Sequence, residues 1–392
     1  MARRHRIALI SSSFHPHTGG VEEHVRQLAR ELTGRGHEVV VWTVDRGEHL
    51  GTQRVDGVEV RYLPTPLPAR SARALLSYAA GLPPATGAWF RAYRAFRPTL
   101  LNVQCFGPNG LYGWALSRLT RTSLVVSSHG ETLADDYDAF GQSALLRAGL
   151  RRALRDAGAV TGVSSMVLED LRARFGLGGG TVVPNGIALD EPLDDAGAPA
   201  WWPAQGPVVL SLGRVEHKKG FDLLLRAFAR LAEDGVSSGA RLVVGGDGSA
   251  LAELRDLAET LGVADQVVLP GRLARDEVTA AIANADVFVV PSRVEAFGIV
   301  ALEAWRGGAP LVMTSRGGAT DFVTDGVDGL VVDPEDVEAL STAIASVLAD
   351  PERARRLAEA GSHRVRDFTW ARVAGDYERL YEKVSPQVSP AG

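Results

Sequence analysis

Strand-like and helix-like segments alternate along nearly the whole chain, in two runs separated by one polar interruption. This alternation limits the available folds more than any other feature. Short apolar runs at 6–12, 39–44, 58–63, 100–103, 124–127, 159–163 and 181–183 read as buried strands. Between them apolar residues recur at helical spacing, as in Val21, Val25, Leu28 and Leu32. Further helices are predicted over 70–96, as one or two pieces interrupted at Pro83-Pro84, and near 109–119 and 143–157. Another starts after the capping residue Ser164 and ends near Phe175. Pro, Asp, Gly and Ala mark 188–206 as a linker. Strands then resume at 208–212, 242–244, 267–269, 287–290, 311–313 and 330–332, with helices at 220–233, 249–261 and 274–284 and more toward the end. Such alternation predicts an α/β protein with two doubly wound, parallel-sheet domains. The expected boundaries are 1–188 and 207–369, joined by 189–206, with a last helix at 370–386.

Composition narrows the class of partner. The 392 residues suffice for two full cores, and a net charge of -5 argues against nucleic acid as the main partner. Cys105 is the single cysteine, which excludes an internal disulfide framework and a Cys-rich metal site. No apolar run approaches the ~20 residues of a membrane span. The opening segment has a basic front, but only Ile7-Ala8-Leu9-Ile10 as its apolar part. That is too short for a signal peptide, so a reducing cytoplasm is expected. Of 42 Lys and Arg residues, lysine occurs only at 218, 219 and 383, so the adjacent pair stands out.

The richest stretch is 291–304. It follows the apolar run Val287-Phe288-Val289-Val290 and leads into good helix formers, so Glu295 and Glu303 are expected at and just inside a helix that opens at the carboxyl end of a strand. Eight residues of helix would set them about 12 Å apart, at about 1.5 Å per residue. That is too far for a glycosidase pair, whose carboxyls lie roughly 5–9.5 Å apart. The spacing suits two contacts to different ends of one long ligand, or two solvent-facing acids. Gly213-Arg214 and Lys218-Lys219-Gly220 follow another strand. Cations beside helix-terminal N–H groups make a phosphate site, the other reading being a solvated basic turn. Gly19-Gly20, between the first strand and a helix, lets a ligand approach the backbone or simply makes a tight turn. His129-Gly130-Glu131 closes a third strand, and its histidine is either a ligand contact or a structural residue. No G-x-x-x-x-G-K-[ST] occurs, and Gly245-Gly246-Asp247-Gly248 reads as a strand-to-helix turn. The pair Asp135-Asp136 is too little for a metal cage. Arg147, Arg151, Arg152 and Arg155 on one helix could meet an anionic membrane or acceptor, or form a solvated face.

Taken together these residues resemble the family 4 glycosyltransferases of the GT-B fold. The resemblance covers most of the chain in order: Gly19-Gly20-Val21-Glu22, His129-Gly130, Val183-Pro184-Asn185-Gly186-Ile187, Gly213-Arg214 with Lys219-Gly220, Gly271, and Glu295-x-Phe297-Gly298 followed by Glu303. The last pattern together with the Arg–Lys pair is specific. Ala296, Trp305-Arg306-Gly307, Asp190 and Asp321 depart from the family pattern, and none of them alters the two cations or the two glutamates.

The resemblance implies two Rossmann-like domains facing a cleft, with the C-terminal helix crossing back to the first. It implies a retaining transfer of sugar from a nucleotide-sugar, UDP- or GDP-linked, to an acceptor hydroxyl, with no metal cofactor. By the matching positions Arg214 and Lys219 hold the donor diphosphate, Glu303 the ribose and Glu295 the sugar hydroxyls. His129 contacts the donor sugar near the reacting centre. Gly19 and Gly20 border the diphosphate and acceptor, while Gly271, Arg272 and Leu273 lie near the base. Phe297, Gly298 and Ile299 complete the donor set, and His129, Glu131 and Asn185 are the acceptor-side candidates. The acceptor itself is a glycan, lipid or natural product. A peripheral contact with the inner membrane face through the Arg-rich helices is the further partner expected, and no nucleic acid. A glycoside phosphorylase on the same scaffold, or a non-catalytic sugar-nucleotide-binding protein, would use the same residues.

Overall fold

The computed structural model describes residues 4–68, 72–133, 139–190, 197–233 and 239–385. The chain divides into two compact units, Met1–Asn185 with Trp370–Gly392, and Gly186–Thr369. The first unit runs β1 (Arg6–Ser11), α1 (Gly20–Gly34), β2 (Glu38–Val44), β3 (Thr52–Val55), β4 (Val58–Leu63), α2 (Ala72–Phe96) and β5 (Leu100–Gln104). It continues with α3 (Pro108–Thr120), β6 (Ser123–Ser128), α4 (Ala139–Gln142), α5 (Ala144–Asp156), β7 (Ala159–Gly162), α6 (Ser165–Phe175) and β8 (Thr181–Val182). Among the described residues eight strands form one sheet in the order β3-β4-β2-β1-β5-β6-β7-β8. All neighbours are parallel except β3 and β4.

The central strands explain themselves. Ile7, Ala8, Leu9 and Ile10 are wholly buried, because helices cover both faces of a parallel sheet and every residue must be apolar. Strand β3 has no counterpart among the apolar runs. Its polar sequence Thr-Gln-Arg lies at the sheet edge, where one side stays wet. It pairs with β4 through the two-residue turn Asp56-Gly57, both at positive φ, the geometry that Asp-Gly favours in hairpins. Helix α2 is continuous through Pro83 and Pro84, where the sequence suggests an interruption.

The second unit runs β9 (Val208–Leu212), α7 (Phe221–Glu233), β10 (Arg241–Gly245), α8 (Leu251–Thr260), β11 (Val267–Gly271), α9 (Arg275–Ala283) and β12 (Val287–Val290). Then come α10 (Ile299–Arg306), β13 (Leu311–Thr314), β14 (Leu330–Val332), α11 (Val337–Leu348) and α12 (Pro351–Arg364). Its described strands make a parallel sheet in the order β11-β10-β9-β12-β13-β14. Part of the expected linker is anchored to this unit, since Trp201 Nε1 donates to Glu277 Oε1 of α9 at 2.8 Å. Trp305 stands where the resemblance implies small residues, and the core has adapted to it. Its indole is fully buried and donates to the Asp328 carbonyl, and Gly361 of α12 leaves it room, since a Cβ there would lie 2.2 Å from the ring.

The chain enters and leaves this unit side by side, with Ile187 N–H bonded to the Phe368 carbonyl at 2.8 Å. The last helix, α13 (Trp370–Val384), belongs to the first unit and packs on α1 and β6. Arg35 and His37 bind its Glu378 at 2.8 and 2.9 Å, and its Tyr377 and Tyr381 are buried.

Candidate active site

In an open α/β sheet ligands sit beyond the carboxyl ends of the strands where the strand order reverses. In the second unit that point lies between β9 and β12, neighbours from which the chain winds in opposite directions. Gly213 and Arg214 follow β9, and the 3-10 turn His217–Lys219 comes next. Gly220 ends that turn at φ +69, and a Cβ there would lie 2.0 Å from the Pro291 carbonyl oxygen. Only glycine brings the two loops so close.

Arg293 fastens the same junction. Its N–H bonds the Lys218 carbonyl, and its guanidinium bonds the His217 carbonyl and grips both oxygens of Asp222 at 2.7 Å. The result is a fixed turn that delivers Lys219 Nζ to Glu295 Oε2 at 2.6 Å, where the Ser292 hydroxyl also donates at 2.9 Å. Burial opposes the charge on Glu295, but the Lys219 ammonium, followed by Ser292, outweighs it and keeps the carboxyl below its ordinary range. Both bonds go to one oxygen, and among the described residues Oε1 is left to take a further donor.

Glu295 lies in the loop ahead of the helix rather than at its opening, where the sequence places it. Its N–H and C=O bond Arg316 and Gly318, and α10 starts only at Ile299, after Gly298 at φ +91. The axial distance of about 12 Å therefore does not apply, since the first part of the interval is loop. Glu303 is half-buried on α10, and Arg214 is exposed. Phe297, expected among the donor contacts, is 2 % exposed and stacks on Phe322 at 4.5 Å, so its ring is core. Ile299 opens α10 and is half-buried. Gly271 ends β11 and Arg272 and Leu273 follow it, two strands from β9, or roughly 10 Å at about 4.8 Å per strand. A cavity of about 250 Å³ lies beside the 3-10 turn, lined by Val215, His217, Phe221 and Arg226 among others, and includes neither Lys219 nor Glu295.

In the first unit the order reverses between β1 and β5. Gly19 and Gly20 are exposed at the start of α1, and Gly19 is extended backbone. His129 follows β6, with its Nε2 at 2.8 Å from Gln104 Oε1 at the end of β5. Its ring meets that of His24 edge-on at 4.6 Å. Burial, with His24 adding to it, holds the His129 pKa well below the ordinary value, so the imidazole is neutral at pH 7. Glu131 is committed to its own loop. One oxygen accepts the Phe106 N–H and the other the His129 N–H and the Ser128 hydroxyl, at 2.7–2.8 Å. Burial nevertheless raises its pKa. Asn185 is also occupied, its Oδ1 lying 2.8 Å from His24 Nδ1. Asp135-Asp136 lie outside the described residues. Among the described residues no cluster of His, Cys, Asp or Glu is placed to hold a metal ion, and no helix is long and apolar enough to cross a membrane.

The structure adds His24, Asn102 and Gln104 to the residues that the sequence singles out. Each carries a signal: His24 falls on the apolar stripe of α1, and Asn102 and Gln104 are polar residues two apart in a wholly buried strand.

Residues 18–191 match the family model described as Glycosyltransferase Family 4, and residues 200–364 match that of Glycosyl transferases group 1. The chain is 32% identical to the GDP-mannose-dependent alpha-(1-6)-phosphatidylinositol monomannoside mannosyltransferase of Mycolicibacterium smegmatis, over 97% of this chain and 98% of that one. It is also 32% identical to the 2-deoxystreptamine N-acetyl-D-glucosaminyltransferase of Streptomyces fradiae, over 86% and 84%. Among solved structures, sucrose-phosphate synthase from Thermosynechococcus elongatus superposes with a TM-score of 0.79 at 26% identity, covering 96% of this chain and 98% of that one.

Proposed function

The chain belongs to glycosyltransferase family 4, with the GT-B fold of two Rossmann-like domains, and from this premise we propose that it is a retaining, metal-independent transferase moving a sugar from a nucleotide-sugar to an acceptor hydroxyl. The observation that carries the reading is the Lys219–Glu295 contact, with Arg214 and Glu303 on the neighbouring segments. Arg214 and Lys219 would hold the diphosphate, Glu303 the ribose and Glu295 the sugar. The leaving nucleoside diphosphate gains negative charge in the transition state, and two fixed cations can supply the stabilisation. Losing one such preorganised group costs roughly 3–4 kcal/mol. Neutral His129 cannot be the acid at pH 7, which supports a same-face attack in which the departing phosphate takes the acceptor proton. Because the relative from Mycolicibacterium smegmatis depends on GDP-mannose, GDP-mannose is the first donor to try. A cytoplasmic-face contact with an anionic membrane would use α5, where Arg151, Arg152 and Arg155 are exposed and Arg147 is turned to the Gly141 carbonyl.

The test is transfer, or slow donor hydrolysis, by Arg214→Ala and Lys219→Ala. Arg214 is exposed, so its loss should cost no more than about 1 kcal/mol of stability, as for surface ionic contacts, and cut turnover by about 100-fold or more. Lys219→Ala leaves a buried carboxylate without its partner, which costs about 3–5 kcal/mol of stability, so its thermal unfolding must be followed alongside. Unchanged rates in both variants overturn the reading.

A further inference from the structure

A chain of hydrogen bonds, buried as far as Gln104, leads from α13 to His129, and its polarity can be read residue by residue. Asn102 Nδ2 lies 3.0 Å from Ser127 Oγ and 3.4 Å from the Val125 carbonyl oxygen. A carbonyl only accepts, so the amide nitrogen of Asn102 must be on that side. Its Oδ1 therefore faces the other way, where it takes the Tyr381 hydroxyl at 2.7 Å and Gln104 Nε2 at 2.8 Å. With its NH2 spent there, Gln104 presents Oε1 to His129 Nε2 at 2.8 Å. An amide oxygen has no proton to give, so the hydrogen must be on His129 Nε2.

We infer that Gln104 is a positioning residue for the transfer reaction: it holds His129 as the Nε2–H tautomer and so leaves Nδ1 as a hydrogen-bond acceptor for a substrate hydroxyl. The inference rests on the transferase reading above and adds to it the direction of the hydrogen bond. The surroundings agree. His129 is half-buried, its Nδ1 has no hydrogen-bond partner among the described residues, and burial keeps the ring neutral. The titratable groups beside it are His24 of α1, in ring contact at 4.6 Å, and Glu131, whose carboxylate accepts its backbone N–H. A lone pair at Nδ1 can take a sugar O–H but cannot protonate a leaving oxygen. Gln104 acts only through the imidazole, and Asn102 and Tyr381 hold Gln104 in the orientation that makes this work.

The experiment uses the full chain labelled with 15N-histidine, with His129→Asn to assign the signal. Long-range 1H–15N spectra at pH 7 should show His129 neutral with the proton on Nε2. Gln104→Met keeps the side-chain length but removes the acceptor, and should release the ring to a mixture of tautomers. Gln104→Glu places a carboxylate at Nε2 and should make an imidazolium at pH 7, with unchanged His5 and His37 signals reporting an intact fold. With GDP-mannose as donor, Gln104→Met should lose about tenfold in turnover, the worth of one hydrogen bond. Gln104→Glu should lose as much at pH 7 and recover as the pH is raised, a profile that a purely structural role would not produce. A wild-type spectrum with the proton on Nδ1, or wild-type transfer in a Gln104→Met protein whose tautomer has changed, overturns the inference. A wild-type protein with the expected tautomer that turns over no nucleotide-sugar sinks the transferase reading and leaves the assignment of the ring intact.

Discussion

Lys219 and Glu295 are each other's nearest charges, and this changes what their substitution should do. On the proposed reading, a carboxylate that orients an ammonium would also compete with the diphosphate for it. Glu295→Ala should therefore leave the affinity for bare GDP unchanged or tighter, while turnover falls by about 100-fold. Glu303→Ala should weaken GDP by about tenfold, the loss of one or two hydrogen bonds to a charged group. Titration calorimetry separates the two, and a loss of GDP affinity in Glu295→Ala would refute the division of labour. At this scale the sequence is informative about residue type and less so about partners. The spacing of Arg214, Lys219, Glu295 and Glu303 marks the candidate site proposed above. That Lys219 reaches Glu295 is hidden, because it depends on Gly220 and Arg293 closing two loops that are far apart in sequence. Gln104 and His24 are hidden for a different reason. A polar residue in an apolar run announces a buried hydrogen bond without naming its other end.

Elements divide between those whose sequence repeats the environment and those shaped by a single backbone position. Strands β9, β12 and β14 lie where the apolar runs end, residue for residue, because continuous burial demands continuous hydrophobicity. The start of α10 cannot be placed from composition, because good helix-forming residues begin well before Ile299. Gly298 and the bonds from Glu295 to Arg316 and Gly318 hold the chain out of the helix until then. Glycines of this kind can be tested one at a time. Gly220→Ala must put a Cβ 2.0 Å from a backbone oxygen at φ +69, so the loops have to part. A strained residue costs about 1–3 kcal/mol, and the cost here should reach or exceed that range, with weaker donor binding as well. Gly178 is the control: a Cβ added there would meet no atom within 4 Å, and its φ lies outside the left-handed region. Gly178→Ala should be within about 0.5 kcal/mol of wild type. Urea denaturation of the pair decides it, and equal midpoints would show that the loop contact is not needed for stability.

For the molecule as a whole, the buried histidines set a lower pH limit. His24 is fully buried, and its pKa is brought down to about 4, burial being the main cause and the Asn185 hydrogen bond opposing it. Above pH about 6.5 the folded and unfolded chains both hold it neutral, and it contributes nothing to the pH dependence. Between about 6.5 and 4 the unfolded chain gains a proton that the folded one refuses, so stability falls as the pH falls. The full effect is about 3 kcal/mol at about 1.4 kcal/mol per unit, and His129 adds to it in the same direction. His24→Gln should flatten part of the slope between pH 7 and 4.5 in denaturation curves, and an unchanged slope would show that His24 is not the group responsible.

The interrupted first unit has a further consequence, for the order in which the protein can be made. Its sheet is complete by Val182, but Tyr377 and Tyr381, which fill its buried polar interior, emerge from the ribosome only after the whole of the second unit. The part synthesised first must wait, open along α1 and β6, while the part synthesised second can close its own core as soon as Thr369 is clear. The last helix thus closes the first unit only late in synthesis: a chain that stops before Trp370 carries a complete second unit and an N-terminal unit with its polar interior exposed.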